Sequence, residues 1–230
     1  MSMEILHDVV APGQQIAAYA RSLELLREVG SGKRGATLRV YAPQPVIAFG
    51  RRDELNPNFQ SAAQACRDHG FEPIVRKVGG HAAAYHQGCL VVDHFQPAKD
   101  AVTGNNERFG IFGQMYADAL QSLGVDAAVG EIPGEYCPGE YSVHGVLPNG
   151  GKIKLVGTAQ RVVSGAWWFS AGIVVDGSSQ LRAVTTDVYR ALELPLIPST
   201  VGAVSNALPE ITAEDVEDAV IEAYANEGFE

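Results

Sequence analysis

Cys137 stands in the stretch Glu-Tyr-Cys-Pro-Gly-Glu-Tyr (135–141), and seventeen residues further on Lys154 opens Lys-Leu-Val-Gly-Thr-Ala-Gln-Arg. A thiol attacks a carbonyl carbon once it is a thiolate, and a neighbouring cation or base governs how readily it becomes one. Pro138 and Gly139 fix a turn directly after the cysteine, which places it on a loop of restricted shape, where catalytic groups concentrate. The same residue is equally a small apolar side chain in a loop. Acidic Glu131, Glu135 and Glu140 disfavour a thiolate there unless a cation offsets them. Strand alternation over residues 152–163 puts Lys154, Val156 and Thr158 on one face and Leu155, Gly157 and Ala159 on the other. A lysine in that place is either a solvated charge or an amine desolvated by its apolar neighbours and so useful as an acid or base.

The second stretch able to do chemistry is Arg-Lys-Val-Gly-Gly-His-Ala-Ala-Ala-Tyr-His-Gln-Gly (76–88). Gly79 and Gly80 permit close approach of a ligand to the backbone, and Ala82, Ala83 and Ala84 leave room for something long and thin. The alternative is a bulge or a turn. His81 and His86 are five residues apart, not the four that align two metal ligands on a helix, and no carboxylate-rich motif joins them or His94 and His144. No metal site is expected. Cys66 falls in a helical pattern and Cys89 opens an apolar strand, positions of core residues. Trp167 and Trp168 point to opposite faces of one strand, one toward the core and one toward a possible apolar pocket.

These residues need elements to hold them. Residues 14–29 carry Ile16, Ala20, Leu23 and Leu26 at helical spacing. Two extended runs, 36–41 and 45–50, follow with Pro43 and Pro45 between them and are expected to be adjacent strands. A short helix over 57–70, an extended run over 71–78, a strand over 88–95 and a helix over 107–124 come next. Residues 140–176 read as an antiparallel meander of three strands. After a loop at 195–209, Thr212 and Asp215 match a capping box that opens a final helix. Long hairpins among the helices favour an α+β fold in one domain, residues 1–230, with a core at about 36–192 and a C-terminal loop and helix at 195–230.

With 17 Lys and Arg against 27 Asp and Glu, the formal charge is -10, which repels phosphate backbones and argues against nucleic acid. No apolar run is long enough to span a bilayer and no secretory signal opens the chain, so a cytoplasmic location without membrane attachment is expected. Three cysteines at spacings of 23 and 48 residues form no disulfide framework.

Taken in order, residues 76–88, 135–143 and 152–161 resemble the lipoate-protein ligase and octanoyltransferase superfamily, with its Arg-Arg/Lys-x-x-Gly-Gly and Lys-x-x-Gly-x-Ala-Gln-Arg segments. The likeness extends back to Pro-Val-Ile-Ala-Phe-Gly-Arg-Arg-Asp-Glu-Leu-Asn-Pro (45–57) and covers about residues 40–175. Within it, Tyr136-Cys137-Pro138-Gly139 is most similar to the cysteine-dependent amidotransferases that move an octanoyl or lipoyl group from the glycine-cleavage H protein to E2 subunits. Ser142 stands where that subgroup more often has aspartate, Gly79-Gly80-His81-Ala82-Ala83 replaces Gly-Gly-x-Ala-Val, and a loop precedes the lysine.

The resemblance implies a largely antiparallel mixed sheet flanked by helices, like the class II aminoacyl-tRNA synthetase and biotin synthetase catalytic domains. It makes Cys137 the acyl-accepting thiol and Lys154 its acid or base partner. Arg76, Gly79, Gly80, His81, Ala82, Gly157, Thr158 and Ala159 then border the acyl group. Lipoyl-domain carrier proteins are the implied partners, the lipoyl or octanoyl group is substrate, and no cofactor is required. Two other readings share the motifs. An ATP- and magnesium-dependent lipoate ligase forming lipoyl-AMP has no task for Cys137 and is expected to carry a further C-terminal domain, for which this chain leaves little room. A non-catalytic acyl- or carrier-binding module is the other.

Overall fold

The computed structural model describes residues 3–229. Ten strands and seven α-helices follow one another as β1 (Glu4–Val9), α1 (Gln15–Gly30), β2 (Thr37–Ala42), β3 (Val46–Phe49), α2 (Arg51–Glu54), α3 (Phe59–Asp68), β4 (Glu72–Val75), β5 (Ala83–Tyr85), β6 (Cys89–Pro97), α4 (Asn105–Ser122), β7 (Ala127–Val129), β8 (Val143–Val146), β9 (Lys152–Val163), β10 (Ala166–Val174), α5 (Ser178–Ala191), α6 (Val204–Ala207) and α7 (Ala213–Asn226). A seven-stranded sheet has the order β1-β2-β6-β10-β9-β8-β7, and a three-stranded sheet the order β4-β3-β5. Among the strands of the described residues, β1–β2 and β3–β4 are the parallel pairs. This is the α+β, largely antiparallel arrangement with flanking helices that the sequence led us to expect.

Alternation along the strands sorts the large sheet into two faces. Trp167, Phe169 and Ile173 pack with Phe112 and Tyr116 of α4 and Tyr224 of α7. Trp168 faces the other way and packs with Phe95 and with Leu25, Leu26 and Val29 of α1. A third cluster joins Ile47 and Phe49 of the small sheet to Cys66 of α3 and Leu181, Val184 and Val188 of α5. The α7 start is capped as its sequence requires: Thr212 Oγ1 accepts the Asp215 amide at 3.2 Å, and Asp215 Oδ2 accepts the Thr212 amide at 2.9 Å.

Three features differ from the sequence expectation. Residues 36–41 and 45–50 are not adjacent strands: β2 pairs with β1 and β6, whereas β3 pairs with β4 and β5. The two prolines between them deny the backbone donors a hairpin needs, and the chain crosses from one sheet to the other. Helix α5 and edge strand β1 were not foreseen, although Leu181, Val184, Thr185 and Val188 do lie at helical spacing and are buried. The alternation assigned to β9 is also broken. The register passes from Val143↔Val156 to His144↔Lys154, so one residue of β8 faces two steps of β9. This bulge puts Leu155 and Val156 together in the α4 cluster and returns Gly157 to the Lys154 face, where a Cβ on Gly157 would lie 3.6 Å from Lys154 Cε.

Beneath α1, a buried polar cluster holds the large sheet to the helix. Asp93 accepts hydrogen bonds from Ser22 Oγ at 2.6 Å, Trp168 Nε1 at 2.9 Å and Ser170 Oγ at 2.6 Å. Arg39 lies 3.8 Å from its carboxylate and also donates to Ser22 and to the Ala18 carbonyl. Burial pushes the Asp93 carboxyl up, against the pull of Arg39 and of these donors. Arg39 keeps its 2.6 Å pair with Asp8 when Asp93 is removed, so Asp93→Ala chiefly leaves three buried donors unpaired. At about 1–3 kcal/mol for each unsatisfied group the loss is expected to be at least about 3 kcal/mol, read as a lowered urea midpoint at unchanged slope.

Candidate active site

The bend after Ile132 carries Cys137 in a left-handed backbone conformation, φ +41°, which a residue with a Cβ adopts at a cost. Contacts on both sides of the residue hold it there. Its amide donates to the Tyr189 hydroxyl at 2.6 Å, and its carbonyl accepts from Lys154 Nζ at 2.7 Å. Tyr189 in turn donates to the Ala82 carbonyl at 2.9 Å, so α5 ties the cysteine loop to the segment leading into β5. The thiol is thereby aimed, and it is partly accessible.

What meets the sulfur comes from the glycine segment. The His81 amide donates to Cys137 Sγ at 3.2 Å, and Arg76 Nη2 donates to it at 3.3 Å while also bonding the His81 carbonyl at 2.7 Å. Both contacts are donors aimed at sulfur, the arrangement a thiolate accepts. Gly80 makes the approach possible: at φ +98°, any Cβ there would fall 2.5 Å from Sγ and 2.7 Å from Arg76 Nη2. Burial pulls the Arg76 guanidinium down, but the neighbouring Cys137, with Tyr85 and Tyr189, outweighs it and the net direction is upward. Its Nε is buried and has no hydrogen-bond partner among the described residues.

Lys154 is fully buried and does not touch the sulfur. Its Nζ donates to Glu135 Oε1 at 2.9 Å, to the Tyr136 carbonyl at 3.0 Å and to the Cys137 carbonyl at 2.7 Å, with the Tyr136 ring 4.8 Å away. The expected ammonium–thiol contact is therefore replaced by an ammonium–backbone contact on the same residue. Three donated bonds account for all three N–H groups of an ammonium and leave no lone pair to act as a base. Glu135, expected to repel a thiolate, turns inward: besides Lys154 it accepts Ser142 Oγ at 2.7 Å and the amides of Ile132 and Gly139, each at 3.2 Å. Glu131 and Glu140 are exposed.

A cavity of about 720 Å³ opens at the sulfur, a volume typical of small-ligand sites. Arg76, Gly79, Gly80, Cys137, Lys154, Gly157, Thr158 and Ala159 all line it, with Ala48, Ala83, Val91 and Gly172 as apolar wall and Trp168 on the α1 side. Ala82 and His81 do not. Ala82 packs in the core of the small sheet and contributes its carbonyl to Tyr189; His81 reaches Cys137 through its backbone amide. Cys66 and Cys89 lie in that same core, and burial pushes each thiol up to about 12. His86 bonds the Gly88 amide and the Gly177 carbonyl, and among the described residues no three His, Cys, Asp or Glu side chains are grouped to hold a metal ion. Nor, among the described residues, is any helix long and apolar enough to cross a membrane.

Sequence reasoning missed Tyr189, the inward carboxylate of Glu135 and a pair at the loop's back. There His81 Nδ1 lies 2.7 Å from Asp53 Oδ1, and Asp53 Oδ2 accepts the Gly50 amide at 2.8 Å. The loops meet closely, since a Cβ on Gly50 would stand 1.8 Å from the Gly80 carbonyl oxygen. Tyr189 belongs to the helix that the sequence reading passed over. The run Gly-Arg-Arg-Asp had drawn attention, but nothing in its spacing marks Asp53 as the partner of a histidine 28 residues away.

Known proteins resemble this chain in sequence and in fold. An octanoyl-[GcvH]:protein N-octanoyltransferase of Geobacillus kaustophilus is 30% identical over 166 residues, 72% of this chain and 57% of that protein. One of Exiguobacterium sibiricum is 28% identical over 161 residues, 68% of this chain and 56% of that protein, so the match spans somewhat over half the length of these relatives. Among solved structures, a lipoate-protein ligase A bound with ATP superposes with a TM-score of 0.70 at 18% identity, covering 98% of this chain and 85% of that one. The bipartite lipoate protein ligase of Thermoplasma acidophilum gives 0.71 at 20% identity, covering 98% and 83%. Both share the fold. The family model for the lipoyl protein ligase A/B catalytic domain matches residues 14–225, and the chain belongs to that family.

Proposed function

We propose that the protein is an acyltransferase that moves an octanoyl or lipoyl group between carrier-protein lysines through a thioester on Cys137. One observation carries the reading: a cysteine held in a left-handed bend at the mouth of an apolar cavity, with a guanidinium and a backbone amide both donating to its sulfur. The relatives named above are octanoyltransferases whose names include the GcvH carrier, which supports lipoyl-domain carriers, among them the glycine-cleavage H protein and E2 subunits, as donor and acceptor. Burying an eight-carbon chain against Ala48, Ala83, Val91 and Gly172 at about 0.8 kcal/mol per methylene contributes roughly 5 kcal/mol to binding.

In this reading the thiolate attacks the carbonyl carbon of the donor amide. Arg76, whose Nε has no partner among the described residues, supplies donor capacity for the developing oxyanion. The donor lysine leaves, the acyl group stays on sulfur, and the acceptor lysine attacks the thioester. One amide is exchanged for another, so no nucleotide is consumed. Lys154 acts by position: its ammonium ties the carbonyls of Tyr136 and Cys137 to the Glu135 carboxylate and fixes the bend from which the thiol projects.

The test is intact mass after incubation with octanoylated H protein in the absence of ATP. The expected result is one octanoyl adduct, lost to hydroxylamine and missing in Cys137→Ala. Ligation that needs free lipoate and ATP and survives Cys137→Ala would instead support a ligase, and no adduct or ligation under either condition a binding module. Iodoacetamide applied to the folded protein is expected to label Cys137 well ahead of Cys66 and Cys89, whose thiols are buried; equal labelling of all three contradicts the site. Lys154→Met leaves the Glu135 carboxylate buried and unpaired, and is expected to cost about 3–5 kcal/mol together with the adduct. Adding Glu135→Gln is expected to return much of the stability and none of the acylation, measured as urea midpoint and adduct yield.

A further inference from the structure

If acyl transfer runs through Cys137 as proposed above, two proton movements still need a carrier. An amide nitrogen departs only once protonated, and the incoming amine must lose a proton as its new amide forms. Most of the polar groups around the sulfur are committed elsewhere. Arg76 keeps its proton throughout. Lys154 has given all three of its N–H groups, and Glu135 is buried under four donors. The Tyr189 hydroxyl already donates to Ala82 and accepts from Cys137, and burial pushes the Tyr85 hydroxyl up to about 12.

His81 is different. Its own amide donates to the sulfur at 3.2 Å, and its ring, which does not line the cavity, is carried one side chain from that amide on the Asp53 side of the loop. Nδ1 is fixed 2.7 Å from an Asp53 carboxylate that is itself 1% exposed and pinned by the Gly50 amide. A carboxylate at Nδ1 sets the tautomer and steadies the imidazolium when it forms. The other ring nitrogen, Nε2, has no hydrogen-bond partner among the described residues, and the side chain is 27% exposed.

We infer that His81, oriented by Asp53, is the proton carrier of the transfer, so that Cys137, His81 and Asp53 work as a nucleophile, acid–base and orienting group. In the first half the Cys137 thiolate forms the C–S bond, the donor C–N bond breaks, and the leaving nitrogen takes the proton from His81 Nε2. The enzyme is then a thioester with a neutral imidazole. In the second half the acceptor amine forms the new C–N bond and gives its proton to Nε2, and the C–S bond breaks to return the thiolate. The donor lysine enters as an amide and leaves as a neutral amine, the acceptor lysine enters as a neutral amine and leaves as an amide, and no proton is gained or lost over the cycle.

The leaving group provides the test. p-Nitrophenyl octanoate acylates the same sulfur, but its phenolate leaves without a proton. With His81→Gln, the rate of adduct formation from octanoylated H protein is expected to fall about 10²-fold, and the p-nitrophenolate burst at least ten times less steeply than that. Free imidazole is expected to raise the variant's rate with the amide donor. Asp53→Asn carries the same comparison with a smaller loss, and decides the matter should His81→Gln fail to fold. Equal losses with both donors mean a structural role and overturn the inference, as does an undiminished rate with the amide donor. A wild-type protein that acquires no adduct from either donor fails at the cysteine itself, and the transfer reading goes with it.

Discussion

A buried ammonium held by a buried carboxylate governs the site. Lys154 and Glu135 have side chains 2% and 0% exposed, in an environment where either charge alone is costly. Their pairing is weak evidence of stability, because both ions surrender water to form it. Its value is geometric. The ammonium can satisfy itself only by drawing in two further acceptors, and those acceptors are the carbonyls of Tyr136 and Cys137. The carboxylate likewise gathers Ser142 and the amides of Ile132 and Gly139. Two ions that need hydrogen bonds on every side thus fold the loop around themselves, and the left-handed φ of Cys137 is the form the loop takes when those needs are met.

The β9 bulge is what brings the lysine to this place. Regular alternation would leave Lys154 on the face of Val156, which packs against α4. An extra residue at Leu155 separates the two, so one strand buries Leu155 and Val156 in the core and still presents Lys154, Gly157 and Ala159 to the cavity. A small residue at 157 leaves room beside the lysine chain. The motif Lys-x-x-Gly-x-Ala therefore describes a bulged strand more than a catalytic pair.

This explains which parts were legible beforehand. The helix over 15–30, the meander of β8, β9 and β10, and the capped last helix each depend on local periodicity or capping, which a sequence displays directly. Cys137 and the Gly79-Gly80 segment were legible because residue type and turn chemistry mark them, and Arg76 through the family resemblance. The partners were not. Whether Lys154 meets a sulfur or a carbonyl of the same residue depends on a bulge whose signal is absent from the alternation pattern. The Asp53–His81 contact spans 28 residues and two loops, and Tyr189 arrives from a helix 52 residues after the cysteine. Such contacts are decided by packing of whole elements, not by neighbours in the chain.

Dividing the cations between two tasks has a chemical consequence. A single lysine asked both to hold the loop and to face the sulfur would have to release one set of acceptors to serve the other, leaving buried carbonyls unpaired during turnover. With Arg76 on the sulfur and Lys154 on the carbonyls, the loop stays clamped without calling on the cation that faces the thiol. Arginine suits that position, since its charge is permanent and its planar fork can hold the His81 carbonyl and Cys137 Sγ through one nitrogen while others remain free. Gly80 completes the division, because any side chain there would separate guanidinium from thiol. The Gly-Gly motif, on this account, is a requirement for contact between the Arg76 guanidinium and the Cys137 sulfur before it is a feature of the acyl slot.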